Sequence, residues 1–142
     1  MDVIAGFPGE TEEEFEDSLA RLERLPWTRA HVFPFSVRRN TAAARLVEAG
    51  LAVPSQAVAL RARRLRDLSD RKLVAALAGR VGSVMEILIE GKESKWEGRT
   101  VSTGHSRSYF KVVIPGRHPA NELRRVRIVG LLNGESLKGE LV

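Results

Sequence analysis

The spacing of apolar residues along the chain changes character twice. Residues 2–7, Asp-Val-Ile-Ala-Gly-Phe, form a short and nearly continuous apolar run. Such a run predicts a strand of a parallel sheet, buried on both faces. Pro8-Gly9 then marks a turn. Thr11-Glu12-Glu13-Glu14 has the spacing of a capping box, in which the Thr11 hydroxyl accepts from the Glu14 amide and the Glu14 carboxylate reaches back. Phe15, Leu19 and Leu22 follow at i, i+4 and i+7, one stripe of a helix that Pro26 ends. A second apolar run spans Ala30 to Phe35. Strand, helix and strand in this order predict a βαβ unit with parallel strands. Two strands and one short helix cannot by themselves cover both faces of a parallel sheet.

Residues 36–54 read as a loop with a short helical piece around Thr41 to Glu48. Ser55 is placed to cap a long helix over about 56–78. Val58, Ala62, Leu65 and Leu68 form its apolar stripe, continued by Leu73 and Leu77. Arg61, Arg63, Arg64, Arg66, Arg71 and Lys72 decorate it, as a solvated face would. From residue 81 the period drops to two. Strands are expected near 81–90, 95–102, 108–114, 123–131 and 136–142, separated by Gly, Asn and Pro. Met85, Ile87 and Ile89 fall on one face, Glu86 and Glu90 on the other. Five short strands in succession predict a small barrel of the OB-like kind. The fold class is thus α/β plus all-β. Its expected parts are 1–52 with the βαβ unit, 53–79 as a linking helix and 80–142 as the barrel.

Charge sharpens this division. Residues 1–55 carry six arginines against nine carboxylates, a net of −3, whereas residues 56–142 carry 17 Lys/Arg against nine, a net of +8. A basic half of this kind fits a surface that meets a polyanion, and equally a solvated basic surface. Cysteine is absent, which removes disulfides, thiolate nucleophiles and cysteine-held clusters from this chain and fits a cytoplasmic setting. No apolar run reaches the roughly 18 residues of a membrane span, so no membrane association is expected. The opening MDVIAGFPGE has none of the regions of a signal peptide. His31, His105 and His118 lie too far apart in sequence for a local metal motif, and no metal site is expected.

The barrel carries the clearest binding signal. Phe110, Val112 and Ile114 alternate with Arg107, Tyr109 and Lys111 on the strand expected at 108–114. Val126 and Ile128 alternate with Arg125 and Arg127 on the strand at 123–131. Lys95, Arg99 and Arg124 add charge nearby. Cations that track phosphates and an exposed ring that stacks a base suit single-stranded or loop RNA. The same pattern also suits a barrel with long polar side chains outside. Gly6 stands at the end of a parallel strand, where α/β folds place ligands; it also suits close helix packing. Ser36, Ser102, Ser106 and Ser108 lack a strand–turn–helix elbow, so no nucleophile stands out.

Residues 2–15, Asp-Val-Ile-Ala-Gly-Phe-Pro-Gly-Glu-Thr-Glu-Glu-Glu-Phe, closely resemble a late strand and helix of the radical-SAM methylthiotransferases. His31-Val32-Phe33-Pro34-Phe35-Ser36 resembles the next strand, most like the branch that methylthiolates threonylcarbamoyladenosine beside the tRNA anticodon. The segment from about residue 80 is similar to a TRAM domain, the RNA-binding module that ends these enzymes. One difference is clear. Where the family usually has Ser-Pro-Arg-Pro-Gly-Thr-Pro-Ala, this chain has Ser36-Val37-Arg38-Arg39-Asn40-Thr41-Ala42-Ala43, so Arg38 and Thr41 match while two prolines and a glycine of the loop are replaced and Ala42 stands in place of the third proline.

The resemblance implies that residues 1–52 are the end of a radical-SAM partial barrel and that the chain is a C-terminal part of such an enzyme. It implies Ile4, Gly6, Phe7 and Glu10 as the adenosyl-side wall of an S-adenosylmethionine pocket, and Ser36 and Arg38 as a substrate loop. It also implies Lys95, Arg99, Arg107, Tyr109, Lys111, Arg124, Arg125 and Arg127 as contacts to tRNA. The family uses S-adenosylmethionine and iron–sulfur clusters; without cysteines, this chain alone is expected to hold neither and to be inactive by itself. The alternative is a freestanding RNA-binding module. A further expectation is self-association through the unfinished sheet.

Overall fold

The computed structural model describes residues 1–142, the side chains of Lys92 and Glu93 excepted. It forms two compact units, Met1–Lys72 and Leu73–Val142. The first contains β1 (Asp2–Ala5), α1 (Glu12–Arg24), β2 (His31–Pro34), α2 (Ala42–Glu48) and most of α3 (Ser55–Ala78). The strands β1 and β2 are parallel, with Val3 opposite Val32 and Ile4 opposite Phe33.

Local chemistry sets the helix ends. The Thr11 hydroxyl accepts from the Glu14 N–H at 3.2 Å, and the Thr11 N–H donates to Glu14 Oε2 at 2.8 Å, so the expected capping box is present. That backbone N–H, together with the hydroxyl, holds the Glu14 carboxyl below its ordinary range. α1 stops where Leu25 turns extended, immediately before Pro26. Thr41 caps α2 in the same way, accepting from the Ala44 N–H at 3.1 Å.

The core of this unit is Ala5, Phe15, Ala62 and Leu65, with Val3, Leu19, Leu22 and Val32 packed against it. These residues place α1 and α3 on one and the same face of the two-stranded sheet. Ile4 and Phe33, cross-strand partners on the other face, are 56% and 52% exposed. The two-sided burial expected from the apolar run at 2–7 is therefore one-sided, because two strands and their helices supply cover for a single face.

The second unit is a closed five-stranded barrel, ordered β3-β4-β5-β7-β6. Its strands are β3 (Val84–Trp96), β4 (Arg99–Ser106), β5 (Lys111–Pro115), β6 (Leu123–Leu132) and β7 (Ser136–Leu141). All neighbours are antiparallel except β5 and β7. Leu73 and Leu77, from the end of α3, join Ile87, Ile89, Phe110, Val112, Ile114, Val126, Ile128 and Leu137 in one core. The interior is narrow: a Cβ on Gly139 would overlap a Val126 methyl and stand 3.0 Å from one of Val112. The boundary between the units falls inside α3, because Ala62 and Leu65 serve one core and Leu73 and Leu77 the other. Among the described residues no helix is long and apolar enough to cross a membrane.

Candidate functional site

Strand register builds the basic surface. On β3, Val84, Glu86, Leu88 and Glu90 alternate with the buried Ile87 and Ile89 and so point outward. On one side, β6 places Arg125 opposite Glu86, Arg127 opposite Val84 and Leu123 opposite Leu88. On the other, β4 places His105 opposite Leu88, and β5 places Lys111 opposite His105. The Arg107 guanidinium bonds Glu86 Oε2 through Nε at 3.1 Å and Nη2 at 2.9 Å. His105 Nδ1 lies 2.7 Å from Glu90 Oε1. Arg107 and Arg125 thus lie on the outside of the barrel on either side of Glu86, with Arg127 farther along β6 and Lys111 on the strand beyond β4.

Tyr109 differs from its expected place. Residues 107–109 are not part of a strand but the tip of the β4–β5 hairpin. The Tyr109 N–H donates to Ser106 O at 2.9 Å, and Ser106 N–H donates to Phe110 O at 3.0 Å. The buried Ser106 hydroxyl also accepts from the Phe110 N–H at 3.1 Å. This closes a three-residue hairpin whose last position is left-handed, and Tyr109 fills it at φ 62°. Glycine is the residue such a position favours, and a tyrosine there is strained. The ring is 89% exposed at the tip.

Three expected RNA contacts lie elsewhere. Lys95 and Arg99 flank the Glu97-Gly98 turn between β3 and β4. Arg99 and Ser106 are the two ends of β4, about 20 Å apart at strand rise. Arg124 has the inward parity of Val126; its side chain is nonetheless exposed and pairs with Glu122.

In the first unit, the residues expected to line a cofactor pocket border adjoining clefts that share Pro8, Pro34 and Phe35. Ile4 lines a cleft of about 510 Å³ together with Phe33, Ser36, Arg38 and Thr41. Gly6 lines another, of about 410 Å³, among Pro34, Phe35, Val47, Val53 and Val58. Phe7 and Glu10 border a third with Glu14 and Asp17. The bare face of Gly6 is filled by Val58, whose Cβ would stand 3.1 Å from a Cβ on that glycine. Glu10 is engaged by Arg61, which donates to its backbone carbonyl at 3.1 Å and to Oε2 at 2.9 Å.

Arg61 corrects a further expectation. It is 4% exposed rather than part of a solvated face. It also donates to Glu12 Oε2 at 2.9 Å and lies over the Phe15 ring, 5.2 Å from its centroid. Arg64 stacks on the same ring and pairs with Glu16. Two serines without a nucleophile's setting have structural work: Ser102 donates to Gly116 O and accepts from the His118 N–H, and Ser106 closes the hairpin tip. No group of three His, Asp or Glu able to hold a metal occurs among the described residues.

No protein-family model matches the chain. Curated relatives do. Threonylcarbamoyladenosine tRNA methylthiotransferase MtaB of Chlamydia pneumoniae is 36% identical over 143 residues, 99% of this chain and 32% of that protein. The tRNA-2-methylthio-N(6)-dimethylallyladenosine synthase of Symbiobacterium thermophilum is 38% identical over 146 residues, 99% of this chain and 29% of that protein. MtaB of Bacillus subtilis is 36% identical over 115 residues, 81% of this chain and 25% of that protein. The chain belongs to the tRNA methylthiotransferase family. It spans about a third of the length of the curated relatives it matches. Both named branches of the methylthiotransferases match at similar identity, so identity alone does not choose between them.

Proposed function

We propose that this chain supplies the tRNA-binding part of a methylthiotransferase that acts on threonylcarbamoyladenosine next to the anticodon. The observation that carries the reading is the outside of the barrel around β3, where Arg125 stands opposite Glu86 on β6 and Arg107 bonds Glu86 from the other side, with Arg127 and Lys111 on the flanks. Cations at strand spacing, with Tyr109 at the adjacent tip, have the composition that loop RNA requires. OB-like barrels use their second and third strands and the first loop for oligonucleotides. Here those are β4, β5 and the Glu97-Gly98 turn beside Lys95 and Arg99.

S-adenosylmethionine and iron–sulfur clusters belong to the proposed whole enzyme. Within it, the exposed Ile4–Phe33 face, with Ser36 and Arg38 on the same cleft, is the part of this chain turned toward the cofactor cavity. Glu10, tied to Arg61, is not. A freestanding RNA-binding module is the second reading, and the barrel's own core and paired edges favour it.

A salt titration of tRNA affinity tests the shared element. Removing one cation that pairs with a phosphate should flatten the log–log slope by about 0.7–0.9. The double substitution Arg125→Ala with Arg127→Ala is therefore expected to flatten it by roughly 1.4–1.8. Unchanged affinity and slope would mean that RNA does not use this face. Mass spectrometry of tRNA from cells lacking the gene tests the reaction: loss of the methylthio group from threonylcarbamoyladenosine supports the proposed branch, and loss from dimethylallyladenosine assigns the other.

A further inference from the structure

The basic face has a centre that is neither basic nor polar throughout. Leu88 and Leu123 are cross-strand partners, 46% and 59% exposed. They make a small apolar surface in the middle of the cationic face. Glu86 and Glu90 flank Leu88 along β3, each at two residues' distance on the same side of the strand. Cations flank this centre: Arg107 on one side, with Lys111 beyond it, and Arg125 on the other.

A surface built only to hold phosphates would gain nothing from two carboxylates at its centre, since each repels the backbone it is meant to attract. The carboxylates suit a different part of the nucleotide. A base lying on Leu88 and Leu123 would present its edge to Glu86 or Glu90, and a carboxylate accepts from an exocyclic amine. Glu86 is pre-set for this. Both Arg107 contacts fall on its Oε2, which leaves Oε1 for another donor. Arg107 also fixes the carboxylate's orientation.

We propose that the Glu86–Leu88–Leu123 surface is a base-reading subsite for single-stranded RNA, with Glu86 selecting a base that carries an exocyclic amine over one that does not. This inference rests on the reading of the face as an RNA surface. Phosphates run along the Arg125 and Arg107–Lys111 sides, and the base turns inward between them.

Cytosine and uracil test it, because their rings stack alike and, where cytosine offers the 4-amine, uracil offers a carbonyl oxygen that a carboxylate repels. Binding of the full chain to oligo(rC) and oligo(rU) of about eight residues, the length of a typical single-strand site, can be followed by fluorescence anisotropy at low salt. It is expected to favour oligo(rC) about ten-fold, as one charged hydrogen bond implies. Glu86→Met, which keeps the stem and removes both acceptors, should remove the preference. Glu140→Gln, which removes a carboxylate opposite Arg127 on the same face, should raise affinity for both oligonucleotides and keep their ratio. Equal binding of the two by the unaltered chain, or a preference that survives in Glu86→Met, would overturn the subsite and leave the RNA surface standing. Failure to bind either oligonucleotide or tRNA would overturn both.

Discussion

Gly6 backs directly onto Val58: a Cβ on Gly6 would overlap one Val58 methyl and stand 3.0 Å from the other. Its φ of 78° adds a second reason for glycine there. Gly6→Ala is therefore expected to destabilise the first unit by about 2–4 kcal/mol, combining left-handed strain with overpacking. Adding Val58→Ala should relieve the overlap and recover part of the loss. Urea unfolding followed by Trp27 fluorescence, in a Trp96→Phe background, reports this unit separately. An unaffected midpoint would show that the β1–α1 junction relaxes freely.

Arg61 is buried and bonded to two carboxylates that the chain places about 50 residues earlier. Arg61→Met keeps the stem on Phe15 and removes the charge. Its expected cost is about 3 kcal/mol, because Glu10 is left half-buried without its partner. The double variant with Glu10→Gln should cost less than the single one, and unfolding measurements on the pair give the coupling directly.

Acid should weaken the first unit through two surface carboxylates. The Thr11 backbone N–H and hydroxyl lower the Glu14 pKa, and the hydrogen bond from Arg64 lowers that of Glu16. Both groups are more acidic folded than unfolded. Their contribution is therefore complete above the ordinary glutamate value of about 4.3 and is lost as pH falls through the depressed values. Glu14→Gln with Glu16→Gln should flatten the melting temperature below about pH 4. Carboxyl chemical shifts followed against pH provide the check.

Tyr109 sets stability against binding. Tyr109→Gly removes the left-handed strain and is expected to stabilise the barrel by roughly 1 kcal/mol. It also removes the stacking ring, which should weaken RNA binding by about 1–3 kcal/mol. Tyr109→Phe should leave the binding largely intact. Thermal unfolding and oligonucleotide affinity measured on the same samples would reveal both signs, and a glycine variant that binds as well as the parent would remove Tyr109 from the interface.

The parts of the fold that single segments encode were legible in the sequence. Thr11 with Glu14 announced the start of α1, and the alternation of Ile87, Ile89, Val126 and Ile128 announced barrel strands. What required partners from distant segments was not. Arg61 sits among arginines that do face solvent, and only Glu10, Glu12 and Phe15 folding beneath it distinguish it. The hairpin tip was hidden because Ser106-Arg107-Ser108-Tyr109 lacks the glycine or asparagine that marks most left-handed turn positions. Glu86 read simply as the outward side of a strand; its place between Arg107 and Arg125 is a property of register, which no one strand contains. The residues from 2 to 10 gave a motif in line, but not that Gly6 packs on Val58 and Glu10 is held by Arg61, partners some 50 residues away.

Every strand of the barrel has both edges occupied. A closed barrel of this kind offers a partner few main-chain groups along a free edge, so recognition there depends chiefly on side chains. Outward side chains on a paired strand can be exchanged with little consequence for the core they alternate with. The barrel can therefore change what it recognises one residue at a time, while Ile87, Val112, Val126 and Leu137 beneath keep the same shape. Specificity and foldability are written on alternate positions of the same strands.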